Sequence, residues 1–220
     1  MTGSAQDGWR RALLPLALLV VAAAYLDTLR HGFTADAGFL LAENRYLDGS
    51  ARAWDTLTHD YFWSSARASI PYWRPFTKLS WLLEARLLGR GAIGFHAVQL
   101  AWLVAAAAGV AALARRLGVS APWAAAAALA FGLHPAAAEP GCLLMARSDL
   151  VVAAAILGAL AAWHAWSTTG GVGPAIAHVV AVVVALGSKE IAVVLPVAIT
   201  CWRSRWAAAA ISRGSRRRGF

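Results

Sequence analysis

Charge is scarce in this sequence of 220 residues: 14% are Asp, Glu, Lys or Arg, where a soluble domain averages about 25%. Acids are scarcer still, eleven against twenty Lys and Arg, so the net charge is +9. Cysteine is almost missing. Cys142 and Cys201 lie far apart in apolar surroundings and read as small buried hydrophobes, so nothing suggests a disulfide framework or a zinc site. No 34-residue periodicity is visible, and the sequence therefore carries no array of helical repeats.

Apolar residues fill the space that charge leaves. They make up 60% of the chain, with a mean hydropathy of +0.57, and they fall in blocks near the ~20-residue length that crosses a bilayer. This pattern predicts an all-α integral membrane protein, a polytopic helix bundle of about five or six spans. No soluble globular fold fits it.

The first block runs from Ala12 to Leu26 behind Arg10 and Arg11. No small-residue cleavage site follows, and further spans come later, so it reads as an uncleaved signal anchor. Residues 30–90 are too charged to span a membrane and too aromatic to be disordered. They predict a large first loop folded against the membrane, with an interfacial helix over Phe76 to Leu88. The later blocks are Ala92 to Leu113, Ala121 to Ala138, Leu150 to Trp166, Pro174 to Gly187 and Ile191 to Trp202. The last two are short and flank Ser188-Lys189-Glu190, a pattern of segments that line a polar cavity.

The arginines set the orientation. Arg10/Arg11, Arg115/Arg116 and the six arginines between Arg203 and Arg218 fall on one side if each block crosses once. The positive-inside rule makes that side cytoplasmic, with a cytoplasmic N-terminus and a basic, disordered tail over residues 203–220. Because these arginines flank apolar blocks and form no stripe, the charge does not predict nucleic-acid binding. The first loop, His134 to Asp149 and Lys189-Glu190 then share the outer face. Most of the eleven tryptophans sit at block ends, as interfacial belts require.

Several residues on that face could carry chemistry, and each has a plainer alternative. Asp36 could be a general base toward a hydroxyl, or a loop aspartate or helix cap. Arg74 could pair with a lipid phosphate through its planar fork, or merely snorkel to headgroups. His96 and Gln99 share a helix face, which suits an inward role or a helix–helix hydrogen bond. His134, Glu139, Arg147 and Asp149 form a dense polar cluster, either a site or an ion-pair network. One His and one Glu are too few to claim a metal. Lys189 and Glu190 pose the same choice, with a phosphate as the partner expected for Lys189 or Arg147. No inverted repeat is apparent, which counts against a transporter.

The order of short motifs carries a resemblance. Gly32-Phe33-Thr34-Ala35-Asp36 is followed by Asn44, Asp60-Tyr61-Phe62-Trp63 and Trp73-Arg74-Pro75-Phe76-Thr77-Lys78-Leu79-Ser80. Phe95-His96-Ala97-Val98-Gln99-Leu100, Leu133-His134-Pro135 and Glu139 come next, then Ala146-Arg147-Ser148-Asp149-Leu150 and Leu186-Gly187-Ser188-Lys189-Glu190. From about residue 12 to 202 the chain resembles the N-terminal membrane part of protein O-mannosyltransferase-like proteins with tetratricopeptide repeats. Those belong to the GT-C class of polyprenyl-phosphate-sugar glycosyltransferases.

The resemblance implies a transmembrane domain over residues 1–202. It also implies transfer of a sugar, mannose in that family, from a polyprenyl-phosphate donor to a protein hydroxyl on the extracytoplasmic face; the alanine- and arginine-rich composition suggests that the membrane is a bacterial plasma membrane. Asp36 would be the base; Arg74, Arg147 and Lys189 would hold the lipid phosphate. Asn44, His96, Gln99, His134, Glu139, Asp149 and Glu190 match motif positions without an assigned role. The resemblance implies no organic cofactor and leaves a divalent metal open. Ala37 stands where the family has a second acid, and Gln99 where asparagine is usual. Family members continue into more spans and repeats, so the sequence also reads as a non-catalytic remnant or a partner subunit of a glycosyltransferase.

Overall fold

A computed structural model describes residues 3–49, 52–65 and 71–201, with side chains from residue 11 onward. The predicted basic tail over residues 203–220 lies outside the described residues, as does the side chain of Arg10. Among the described residues every regular element is helical. Two helices are long and apolar enough to cross a membrane, by length and composition: Ala92–Arg116 and Leu144–Thr169.

Helix α1 spans Gly3–Ala24. The loop that follows holds a 3₁₀ turn at Leu26–Arg30, a π turn at Gly38–Ala42, a second 3₁₀ turn at Arg45–Leu47, and the short helix α2 at Ala53–Thr58. Helix α3, Pro75–Leu88, starts on Pro75, whose ring suits the first turn and whose missing N–H costs nothing there. Next come α4 (Ala92–Arg116), α5 (Ala121–Gly132), α6 (Pro135–Cys142), α7 (Arg147–Thr169) and α8 (Val172–Leu186). A 3₁₀ turn at Glu190–Val194 leads into a last helical stretch, 195–201.

One expected span is divided. The apolar block from Ala121 to Ala138 breaks at His134, because a residue before proline is pushed out of the α region. His134 takes φ −62° and ψ 139°, and its Nδ1 accepts from the Ala136 N–H at 3.1 Å to cap α6. Helix α7 ends cleanly on Gly170, whose φ of 68° is left-handed and favours glycine.

Small residues set the helix packing. Ala107 and Ala111 of α4 meet Ala124 and Ala128 of α5 in a buried cluster, where small side chains let the two helix backbones approach closely. Gly132 and Gly141 admit α1: a Cβ on Gly132 would lie 2.6 Å from Val21, and one on Gly141 would lie 2.6 Å from Tyr25. The Tyr25 hydroxyl donates to the Gly132 carbonyl at 3.0 Å and ties α1 to α5. Helix α7 packs on α4 and α8, and Val152, Ala155 and Ala159 bury against Ala185, Ala192 and Leu195.

Apolar side chains are left facing outward. Val172, Ile176, Val179, Val180 and Val183 are exposed along α8, as are Leu16, Leu19 and Val20 on α1. Helix α3 shows the same inversion: it buries Thr77, Lys78 and Glu84 and exposes Leu83, Leu87 and Leu88. The loop has its own core, where Leu40, Leu41, Tyr46, Tyr61 and Phe62 pack on Trp81, Phe95 and Leu144. That core fixes the loop over the N-terminal ends of α4 and α7.

Candidate functional site

Arg147 is the centre of the polar end of the bundle. It opens α7 and is 0% exposed. Its Nε donates to Gln99 Oε1 and its Nη1 to Glu84 Oε1, both in very short contacts, with Ser80 Oγ 3.4 Å from Nη1. Its Nη2 donates to the Phe95 carbonyl at 2.9 Å. One guanidinium thus joins α3, α4 and α7. Burial raises the Glu84 carboxyl's pKa, opposed by the Arg147 charge and by the Arg147 and Ser80 hydrogen bonds.

Arg147 was expected to hold a lipid phosphate, and in this structure protein acceptors take its donors instead. Its donors point inward to protein acceptors, and no surface of it reaches solvent or lipid. Gln99, also 0% exposed, completes the lock. Its Nε2 donates to the carbonyls of Pro140 at 2.5 Å and Leu143 at 3.1 Å, which pins the turn after α6 to α4. Glutamine's reach suits this: one end takes Arg147 and the other takes two carbonyls.

Above this layer sit two ion pairs nearer the surface. Arg74 Nε and Nη2 donate to the two Glu190 carboxylate oxygens at 3.2 and 2.9 Å, a bidentate fork. Arg74 Nη1 reaches Ser148 Oγ at 3.4 Å, and the guanidinium lies over the rings of Tyr61 and Tyr72 at 5.2 and 4.9 Å. Lys189 Nζ meets Asp149 Oδ1 at 2.5 Å. The consecutive residues Arg147, Ser148 and Asp149 therefore serve the buried lock, the Arg74 fork and the Lys189 pair in turn. Phe76 N–H donates to the Gly187 carbonyl at 3.2 Å, which brings the Gly187–Glu190 segment to the start of α3.

An apolar cavity of about 250 Å³ opens beside these pairs, between α4, α5, α6 and α7. Leu103, Phe131, Ala137 and Leu150 line it, and His134 and Asp149 are its polar residues. Glu139 is exposed on α6.

Asp36 is half-buried at the head of the π turn, where its carbonyl accepts from the Leu40 N–H at 2.9 Å. The residue before it, Ala35, has φ 51°. An alanine in the left-handed region costs about 1–2 kcal/mol, so surrounding packing must hold this turn. Phe33 supplies part of that packing, edge-to-face on Phe95 at 5.9 Å. His96, 1% exposed, has its Nε2 3.3 Å from the Gly32 carbonyl, and its Nδ1 is buried without a partner. Asn44 caps the second 3₁₀ turn: its Oδ1 accepts from Tyr46 N–H at 3.0 Å and its Nδ2 donates to the Trp63 carbonyl at 3.2 Å.

Three participants were not among the expected site residues: Glu84, Ser80 and Ser148. Thr77, Ser80, Trp81 and Glu84 repeat at three- and four-residue steps along α3, which marks one face. An acid on such a face amid leucines requires a cation, and that was the available signal. Among the described residues no group of three or more His, Cys, Asp or Glu comes together as candidate metal ligands.

The fold and site define an all-helical chain with two candidate membrane-crossing helices and a paired ionic cluster at one end. In comparisons with known proteins, no family model, no curated protein and no solved structure matches the chain.

Proposed function

We propose that this chain is the membrane domain of a GT-C-type glycosyltransferase, a polytopic bundle that uses a polyprenyl-phosphate sugar on the extracytoplasmic face. The observation that carries the reading is the meeting of segments far apart in sequence. Arg74, Ser148, Asp149, Lys189 and Glu190, each from a motif of the resemblance, share hydrogen bonds in one cluster. The opposite end of α4 carries Arg115 and Arg116, roughly 25 Å away along the axis at 1.5 Å per residue. That separation approaches the ~30 Å hydrocarbon thickness and supports a cluster outside and arginines inside. The exposed leucines of α3 support its lying in the outer interface.

In this reading Asp36 takes the proton of an acceptor hydroxyl as its oxygen bonds to the anomeric carbon. The bond from that carbon to the donor phosphate oxygen breaks, and the polyprenyl phosphate leaves. Arg74 and Lys189 stabilise its charge, exchanging Glu190 and Asp149 for the phosphate oxygens. Mannose is the expected sugar and a protein serine or threonine the expected acceptor. The test is sugar transfer from polyprenyl-phosphate mannose by the protein in vesicles. Asp36→Asn should abolish transfer, and unchanged transfer would sink the assignment.

One observation favours a second reading, a non-catalytic partner subunit of a glycosyltransferase. Every cation of the cluster already faces a carboxylate: Arg74 with Glu190, Arg147 with Glu84, Lys189 with Asp149. Turnover of donor lipid by the purified chain alone eliminates this reading.

A further inference from the structure

The other end of the bundle holds a larger cavity that the proposed reaction does not use. It has a volume of about 620 Å³, within the ~300–1,000 Å³ range of small-molecule sites. Arg11 of α1 and Arg115 of α4 line it, with Ser120, Leu14, Pro122 and Ala124. Among the described residues that line it none is acidic, in contrast to the fully paired cluster at the opposite end. Arg115 is held in place, its Nη1 donating to the Val119 carbonyl at 2.6 Å, and this bond uses one of the five guanidinium N–H groups. Arg11 is exposed where it lines the cavity.

We infer that this cavity binds the phosphate headgroup of an anionic phospholipid of the cytoplasmic leaflet. Two arginines that line one cavity bring planar forks that match phosphate oxygens two at a time. Leu14, Pro122 and Ala124 form the apolar wall that a glycerol backbone and the first acyl carbons require. Basic pockets between membrane helices on the cytoplasmic side take such headgroups. The site depends on the membrane orientation given above and not on sugar transfer.

The test titrates the purified full chain in detergent with short-chain phosphatidylglycerol, phosphatidylcholine and inorganic phosphate in separate arms, with binding read by native mass spectrometry. Phosphatidylglycerol should bind more tightly than phosphatidylcholine. Arg11→Gln and Arg115→Gln should each weaken it about fivefold, and the double variant about thirtyfold. Ser120→Trp fills the cavity without removing a charge and should weaken it as well. Arg45→Gln, in the first loop, removes the same charge elsewhere and should leave binding unchanged. Equal binding of the two lipids, or retained phosphatidylglycerol binding in both the double variant and Ser120→Trp, overturns the inference. Displacement of the lipid by millimolar inorganic phosphate identifies a free-anion site and overturns the lipid assignment. Any of these results leaves the sugar-transfer reading intact, because its readout is donor turnover.

Discussion

Glu84 and Arg147 form a buried pair whose energetics are asymmetric. Each charge loses water on burial, so their attraction largely repays a cost and contributes little net stability. Removing one partner is a different matter. Glu84→Gln leaves the Arg147 charge buried without its counterion, and unfolding in detergent should fall by about 3 kcal/mol. Glu84→Gln combined with Arg147→Met should recover much of that loss, which a double-mutant cycle measures. Lys78 is the second buried cation, 2% exposed, with Nζ donating to the carbonyls of His59 and Asp60 at 2.8 and 2.9 Å. Burial pulls its pKa down to about 8, opposed by Asp60 and Asp55. An ordinary lysine stays protonated to about pH 10.4, so between these values the unfolded chain holds a proton that the folded chain has lost. Stability therefore rises as pH climbs from 8 toward 10, by on the order of 2–3 kcal/mol. Thermal unfolding of wild type against Lys78→Met across that range checks the sign, since the variant should lose the rise.

At the scale of elements, the junction between α8 and α3 decides whether the ionic cluster can form. Gly187 lies against Phe76, and a Cβ there would sit 2.6 Å from its ring. An aromatic ring held at the first turn of a helix has little room to retreat. Gly187→Ala should push the Gly187–Glu190 segment off α3 and open the Arg74–Glu190 fork. The expected cost is about 1–3 kcal/mol, the range for overpacking a close contact, and crosslinking between cysteines placed at 74 and 190 should fall with it. This contact also marks where sequence reasoning stops. Helices α4 and α7 were legible because arginines or a glycine turn close each long apolar block. The α5 block hid its break, since Leu133, Pro135 and Ala136 are all apolar while His134 leaves the helix. The meeting of Arg74, Asp149, Lys189 and Glu190 at one end of the bundle agrees with the grouping expected from alternating apolar blocks. Glu84 was not foreseeable, because its partner lies 63 residues away and one acid inside an apolar helix does not name its cation. Arg147 had the opposite difficulty: its motif suggested a ligand, and only packing reveals that protein groups already surround it.

For the whole molecule, the question is which surface meets lipid and which meets water. The outward valines of α8 and leucines of α1 and α3 would expose a large apolar patch in solution, and such patches mark membrane or protein contact. The inward faces carry the paired ions Arg147 and Glu84 and small residues such as Ala107 and Ala128 beside larger apolar side chains such as Trp81, Phe95 and Leu103. In the proposed membrane orientation the two polar ends, about 25 Å apart along the helix axis, lie in opposite compartments. Cys142 and Cys201 can be replaced by serine, and single cysteines introduced at exposed positions on the two ends. With Glu139→Cys, an impermeable maleimide should react from outside intact cells. With Ser120→Cys, it should react only after permeabilisation. Equal labelling of both positions from outside intact cells would mean that the chain does not cross between residues 120 and 139. The orientation inferred from Arg11 and Arg115, and with it an outer-face ionic site, would then have to be abandoned.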